Sequence, residues 1–353
     1  MKVAVLGPGG VGGLLAAALA RSAGTPQVGG REGAPEGVTA ENSKAAPLSR
    51  DGARVAILAG DSNIASSSCE STQVVVVARE STTATLSERG VRVRSVLLGD
   101  FTAHPRAVTR LDEPVDALIV ATKAAGLREA LERIEAAPRL VLPLLNGIDH
   151  IAVLRERFGE GTVVAGTIRV EADRPQPGVV VHTSRFLRIE MASRETSMRA
   201  PMERLAARLS EAGVPARVGD SEPQVMWSKL VRLNALACTT SAYDLLLGEI
   251  RSTPELRADL VGAIEEGCAV ANAEGARIPS DDPLGELTAA HATLGSSMQR
   301  DIAAKRPPEL DAIPGAVLRA AARHEIACPI IERLVALIAE RAGVPDPGVS
   351  ALD

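Results

Sequence analysis

The chain has 353 residues, 46% hydrophobic and 24% charged, which is material for two domains with ordinary cores. Its net charge of -5 excludes a strong pull towards nucleic acid or acidic membranes, and no apolar run reaches the roughly 20 residues that span a bilayer. Cys69, Cys238, Cys268 and Cys328, and His104, His150, His182, His291 and His324, are scattered without metal-ligand spacing, so no metal site is expected and the thiols suit a reducing cytoplasm.

The chain opens on a short apolar run, Lys2 to Leu6, that ends in Gly7-Pro8-Gly9-Gly10-Val11-Gly12-Gly13 and passes into the helix former Leu14-Leu15-Ala16-Ala17. Gly7, Gly9 and Gly12 have the G-x-G-x-x-G spacing. The first permits a tight turn, the second a close backbone approach to a pyrophosphate, and the third close packing of helix on strand. Free N–H groups at the helix start complement the phosphate charge. A signal peptide would also carry Lys2 and Ala18-Leu19-Ala20, but five glycines and a proline divide its apolar core, which suits a turn better.

Residues 25–72 are rich in Gly, Ala, Ser and Pro, with one strand-like piece at 54–58, and read as an insertion. Two stretches compete for the second strand. Residues 27–32, ending near Arg31, lie at the usual distance from the Gly loop but hold two glycines. Residues 73–80, Gln-Val-Val-Val-Val-Ala-Arg-Glu, form the β-branched run of a buried parallel strand and are preferred. Strands are then expected at 91–94, 115–122, 140–145, 162–168, 178–182, 186–191 and 216–218, with helices at 81–89, 127–136 and 198–212. From about residue 222 apolar residues recur at helical spacing over 224–247, 254–274, 283–304, 310–324 and 329–342, broken at Gly248, Pro279, Pro307-Pro308 and Cys328-Pro329. The expected architecture is a Rossmann-type doubly wound sheet over 1–221, followed by an all-helical domain over 222–353.

Several motifs then converge. The Gly loop, Ala78-Arg79-Glu80, Thr122-Lys123-Ala124, Leu145-Asn146-Gly147, Met226-Trp227-Ser228-Lys229-Leu230, and the run from Ser296-Ser297-Met298 through Asp301 to Glu309-Leu310-Asp311 and Gly315 resemble the ketopantoate reductase (2-dehydropantoate 2-reductase) family over nearly the whole chain. The resemblance implies NADPH-dependent reduction of a 2-oxo acid, 2-dehydropantoate to pantoate first, in pantothenate biosynthesis. It also implies a small-molecule partner and a cytoplasmic setting. A homodimer is an assembly this reading leaves open.

By the same resemblance Lys229 is the general acid, although a lysine early on a helix is more often a solvated charge. Low-dielectric walls and a nearby cationic ring can lower its pKa so that it donates a proton. Glu309 partners Lys229 and the substrate hydroxyl, although a carboxylate in a first helical turn also complements the helix dipole. Ser297, read as lying within a helix, meets the substrate carboxylate. Asn146, at the carboxyl edge of the sheet where such folds bind ligands, contacts substrate and nicotinamide ribose. Lys123 stands in the same crevice on the cofactor side, and Asp301 is by position a structural partner of the site. The cofactor set is Gly7, Pro8, Gly9, Gly10, Val11, Gly12, Arg79, Lys123, Asn146 and Glu309. Arg79 stands where an NAD enzyme carries an acidic residue, and a guanidinium suits the 2'-phosphate of NADP.

One departure concerns substrate. Family members carry Asn four and eight residues after this lysine; here those positions are Leu233 and Ala237, and Asn234 is one position off, about 100° round the helix. It can substitute only through a backbone shift. A relative acting on a different 2-oxo acid or ketone, a non-catalytic NADP-binding sensor and an opine-type dehydrogenase are the alternatives.

Overall fold

The computed structural model describes residues 1–24 and 72–347. The expected insertion, apart from Thr72, lies outside the described residues, as do the strand candidates at 27–32 and 54–58, Arg31 and Cys69.

The first half comprises β1 (Lys2–Leu6), α1 (Gly10–Gly24), β2 (Gln73–Val77), α2 (Glu80–Arg89), β3 (Val91–Ser95), β4 (Phe101–Ala103), β5 (Arg106–Val108), β6 (Ala117–Val120), α3 (Leu127–Leu131), β7 (Val141–Pro143) and α4 (His150–Phe158). Five strands form a parallel sheet in the order β5-β2-β1-β6-β7. Lys2 to Leu6 pair in register with Gln73 to Val77, so the valine run is the strand beside β1 and Arg79 follows its end. Alternate residues face opposite sides, as the strand period requires. Val3, Val5, Val74, Val76 and Ile119 pack with Leu15 and Leu19 of α1, while Ala4, Leu6, Val75, Val77, Leu118 and Val120 pack with Leu127, Leu131 and Leu154. Burial on both faces explains the unbroken apolar runs.

The later strands do not join that sheet. β8 (Ala165–Arg169), β9 (Ala172–Gln176), β10 (Val179–His182), β11 (Arg188–Ala192) and, after α5 (Arg199–Glu211), β12 (Ala216–Val218) build two smaller sheets, β4-β3-β10-β9 and β12-β11-β8. The strands β4, β5 and β9 were not expected. The first two have three residues each, and β9 is mostly exposed and contains Pro175, so none shows an apolar period. Helix α3 stops at Leu131, short of the expected 136, and the chain turns so that Ile134 bridges to Leu111.

The second half is helical throughout its described residues: α6 (Glu222–Tyr243), α7 (Leu247–Ser252), α8 (Pro254–Ala273), α9 (Asp281–Ala289), α10 (Ser297–Ala303), a π-helical turn (Asp311–Gly315), α11 (Ala316–Arg323) and α12 (Pro329–Ala342). Ser221 starts α6 by accepting the Gln224 N–H at 3.3 Å, with Pro223 in the first turn. Trp227 lies in the core of this half. The stretch expected as one helix over 283–304 is two. Ser296 starts α10 by accepting the Gln299 N–H at 3.0 Å, and accepts a hydrogen bond from the Thr240 hydroxyl at 2.9 Å. Residues 310–324 are interrupted because Pro314 has no N–H; the Gly315 N–H reaches the Leu310 carbonyl five residues back, at 3.0 Å.

A buried carboxylate fixes the start of α6 against the first half. Glu222 accepts from Arg155 Nη2 at 2.7 Å and from the Arg194 backbone N–H at 3.1 Å. Seven residues, two helical turns, separate it from Lys229.

Candidate active site

Gly7 has φ +88°, which an L side chain rarely adopts, and a Cβ on Gly12 would stand 2.2 Å from the Gly7 carbonyl oxygen. The turn between β1 and α1 therefore needs glycine at both places. Nothing lies within 4 Å of the Cβ position on Gly9, so the loop is open on that side. Pro8, Gly10 and Val11 complete the turn and the first residues of α1. Beside it, Thr122 Oγ1 at the end of β6 is buried with no hydrogen-bond partner among the described residues. An open glycine turn, a helix start and an orphan hydroxyl fit a dinucleotide.

Arg79 occupies the N-cap position of α2 with its side chain 73% exposed and 3.7 Å from Glu129; Glu80 is the next residue. Lys123 follows β6 and donates to Asp301 Oδ2 on α10 at 2.7 Å, linking the two halves. Asp301 also accepts from Arg306 Nε at 2.8 Å.

Three residues far apart in sequence meet at the carboxyl edge of the parallel sheet. Lys229 Nζ on α6 donates to Asn146 Oδ1 at 2.9 Å, and Asn146 Nδ2 donates to Glu309 Oε2 at 2.9 Å. The amide reads both neighbours, since its oxygen can only accept and its nitrogen only donate. Burial pushes the Lys229 ammonium down to about 8; Glu309 opposes that shift, and the Arg232 and Arg169 guanidinium groups reinforce it. His150 at the start of α4 is buried beside this group. Burial, then the Lys229 charge, pushes its imidazole down to about 3, so it is neutral. An ammonium that titrates near neutrality and is held by an amide and a carboxylate can deliver a proton to an oxygen placed beside it.

Ser297 is the first residue of α10, not a mid-helix residue as the sequence suggested, and stands one turn before Asp301 on the same face. No hydrogen bond joins it to Lys229. Asn234 is 0% exposed; its Oδ1 accepts from the Cys238 thiol at 3.4 Å and its Nδ2 has no partner among the described residues. The structure does not join it to the Lys229 cluster. Leu233 packs on the helical core and Ala237 is fully buried.

Sequence reasoning missed the charged surroundings. Arg169 Nη1 and Arg232 both meet Glu286 Oε2, the latter at 3.3 Å, and Arg169 Nη2 donates to the Ser228 carbonyl at 3.1 Å. Arg232 could have been found, since it lies three residues after Lys229 on one helix face. Arg169 and Glu286 carry no local signal. Among the described residues there is no group of three or more His, Cys, Asp or Glu able to hold a metal ion, and no helix is long and apolar enough to cross a membrane.

Two family descriptions match the chain: Ketopantoate reductase PanE/ApbA over residues 63–195, and Ketopantoate reductase PanE/ApbA C terminal over residues 223–342. A 2-dehydropantoate 2-reductase of Halobacterium salinarum is 30% identical over 275 residues, covering 73% of this chain and 89% of that protein. The chain belongs to the ketopantoate reductase family. A 2-dehydropantoate 2-reductase of Mycobacterium tuberculosis is 32% identical over 262 residues, 71% of this chain and 83% of the relative. In fold, the chain resembles D-mandelate dehydrogenase solved with NADH and anilino(oxo)acetate, at TM-score 0.76 and 19% identity, covering 97% of this chain and 99% of the other. Ketopantoate reductases are NADP-dependent oxidoreductases acting on CH–OH groups, and this chain is an enzyme of that class.

Proposed function

We propose that this ketopantoate reductase relative reduces a 2-oxo acid to the 2-hydroxy acid with NADPH, and that 2-dehydropantoate is the substrate to expect first. The observation that carries the reading is the chain of hydrogen bonds from Lys229 through Asn146 to Glu309. The Gly7–Gly12 turn and the start of α1 hold the pyrophosphate, Thr122 and Lys123 lie along the same edge, and the nicotinamide, when bound, supplies the hydride. Lys229 gives the substrate oxygen its proton as negative charge develops there. Asn146 aims the ammonium, and Glu309 balances its charge and meets the product hydroxyl. Ser297, at the start of α10, holds the carboxylate of the 2-oxo acid.

NADPH oxidation with 2-dehydropantoate tests this directly. Turnover supports the reading; no turnover with any member of a 2-oxo acid panel would leave an NADP-binding protein without this reaction. A second reading, in which the preferred 2-oxo acid is bulkier or less hydroxylated, is favoured by the apolar Leu233 and Ala237 and by the burial of Asn234. It is distinguished by a higher kcat/KM for such an acid than for 2-dehydropantoate.

Arg79 accounts for the choice of NADP. Exposed just after β2 and only loosely paired with Glu129 at 3.7 Å, its guanidinium can take a 2'-phosphate in two parallel hydrogen bonds. Arg79→Ala is expected to weaken NADPH binding on the order of 10- to 100-fold while leaving NADH binding unchanged, as measured by quenching of Trp227 fluorescence or by calorimetry. Equal losses for both nucleotides would remove Arg79 from 2'-phosphate recognition.

A further inference from the structure

We propose that Arg319, which touches neither Lys229 nor the glycine loop, is a positioning residue that clasps the Asn146 segment to the Glu309 segment and so sets the hydrogen bond between them. The inference rests on the reading of Lys229, Asn146 and Glu309 as the active site.

Asn146 and Glu309 meet at 2.9 Å although they are 163 residues apart, and neither sits inside a regular element. Asn146 lies between β7 and α4; Glu309 lies between α10 and the π-helical turn. The close approach of Gly147 to the Ala312 carbonyl packs the two segments together. Arg319, on α11 and 6% exposed, adds the polar contact that sets their register. Its Nε and Nη2 donate to Asp149 Oδ2 at 3.1 and 2.6 Å. Its Nη1 donates to Asp311 Oδ1 at 2.7 Å, and Nη2 donates also to the Asp311 carbonyl at 2.9 Å. Asp149 is three residues after Asn146, and Asp311 is two after Glu309. One rigid guanidinium therefore spans the same two segments as the Asn146–Glu309 bond.

The backbone is shaped to admit it. The π-helical turn forced by Pro314 replaces the regular first turn of α11. Gly315 leaves room, since a Cβ there would stand 3.2 Å from Arg319 Nη1. A lysine could not do the same work: the clasp uses three nitrogens in a fixed plane, and an ammonium is a single point donor. The carboxylates it holds are 45% exposed at Asp149 and 67% at Asp311, so each can turn to water when released. Loss of the arginine is thus expected to free two segments without stranding a buried carboxylate, whereas loss of the two carboxylates leaves the buried guanidinium without its charge partners.

The site should register that freedom at Lys229. The charged and titratable groups facing its ammonium are Glu309, Arg232, Arg169 and His150, and only Glu309 favours the protonated form. Once Glu309 is no longer held beside Asn146, the lysine loses that support and becomes more acidic.

The experiment compares wild type, Arg319→Lys and the double variant Asp149→Asn/Asp311→Asn as full chains. The double variant changes only exposed groups and keeps the experiment decisive if the arginine variant fails to fold. Trace acetylation of Lys229 by acetic anhydride, read by mass spectrometry against pH, gives its titration midpoint without any substrate. The kcat of NADPH oxidation with 2-dehydropantoate is measured in parallel. The midpoint is expected to move below the wild-type value in the double variant, with kcat lower on the order of 10- to 100-fold and the NADPH dissociation constant unchanged. An unmoved midpoint overturns the proposal, whether or not kcat or the thermal midpoint falls. If 2-dehydropantoate is not turned over, the acetylation midpoint alone decides. Full activity in Lys229→Ala would instead remove the site reading, and that result is separate from the behaviour of Asp149 and Asp311.

Discussion

Lys229→Ala is expected to lower kcat on the order of 100- to 10,000-fold, the range for loss of a positioned general acid, while NADPH binding stays within about twofold because the substituted group is no part of the glycine turn after β1. Stopped-flow or steady-state NADPH oxidation checks the first part and fluorescence titration the second. Retained activity would remove Lys229 as the acid. The sign of the pH dependence follows from the same group. Its ammonium is pushed down to about 8, and reduction needs the protonated form, so kcat for reduction should fall as pH rises through about 8. Oxidation of the 2-hydroxy acid needs the neutral amine and should rise through the same pH. In Lys229→Ala both limbs should vanish from whatever rate remains. Stability carries the opposite tendency. Because the folded-state pKa lies below the ordinary value of 10.5, the unfolded chain binds more protons between about 8 and 10.5, and the cost of burying this charge is relieved as pH rises across that window.

Gly147→Ala should be the most damaging change that leaves every polar group of the site in place. Gly147 has φ +81°, and a Cβ there would lie 1.9 Å from the Ala312 carbonyl oxygen. No side-chain rotation relieves a clash with backbone, so either the Asn146 segment or the Glu309 segment must move. The strained dihedral and the forced shift together should cost about 2–4 kcal/mol, seen as a lower midpoint in denaturant. A displacement approaching 1 Å between Asn146 and Glu309 should lower kcat by about 100-fold. NADPH should still bind, since Gly147 is no part of the turn after β1. A variant with wild-type kcat and stability would show that the two segments are not in fixed contact.

How far the sequence could be read depended on what kind of pattern each element carries. Buried parallel strands are apolar on both faces, so Val74 to Val77 and Ala117 to Val120 were legible as runs, and the strand beside β1 was chosen correctly. Short or exposed strands such as β4 and β9 have no such period. The helix break at Ser296 was missed because apolar residues continue on both sides of it, and only the hydroxyl contact with Thr240 shows why a new helix starts there. The cluster of Lys229, Asn146 and Glu309 was reached through family resemblance rather than spacing, because no local rule relates residues so far apart. Of the ring of charge around it only Arg232 was legible, three residues after Lys229 on the same helix. Arg169, Glu286, Asp149 and Arg319 act through pairings that only the folded chain brings together.

The wide separation of Lys229, Asn146 and Glu309 along the chain also bears on how the enzyme comes to be active. The two hydrogen bonds that define the site close loops of 83 and 163 residues. Loops of that size are slow to close and are rewarded only when the elements between them are already in place. Helices such as α6 and α12 can form early from local contacts, but Lys229 has no partner until the sheet and the helical half have docked. Catalytic competence is therefore a late event in folding and a report on the whole chain, whereas helical content is an early one and a report on its parts.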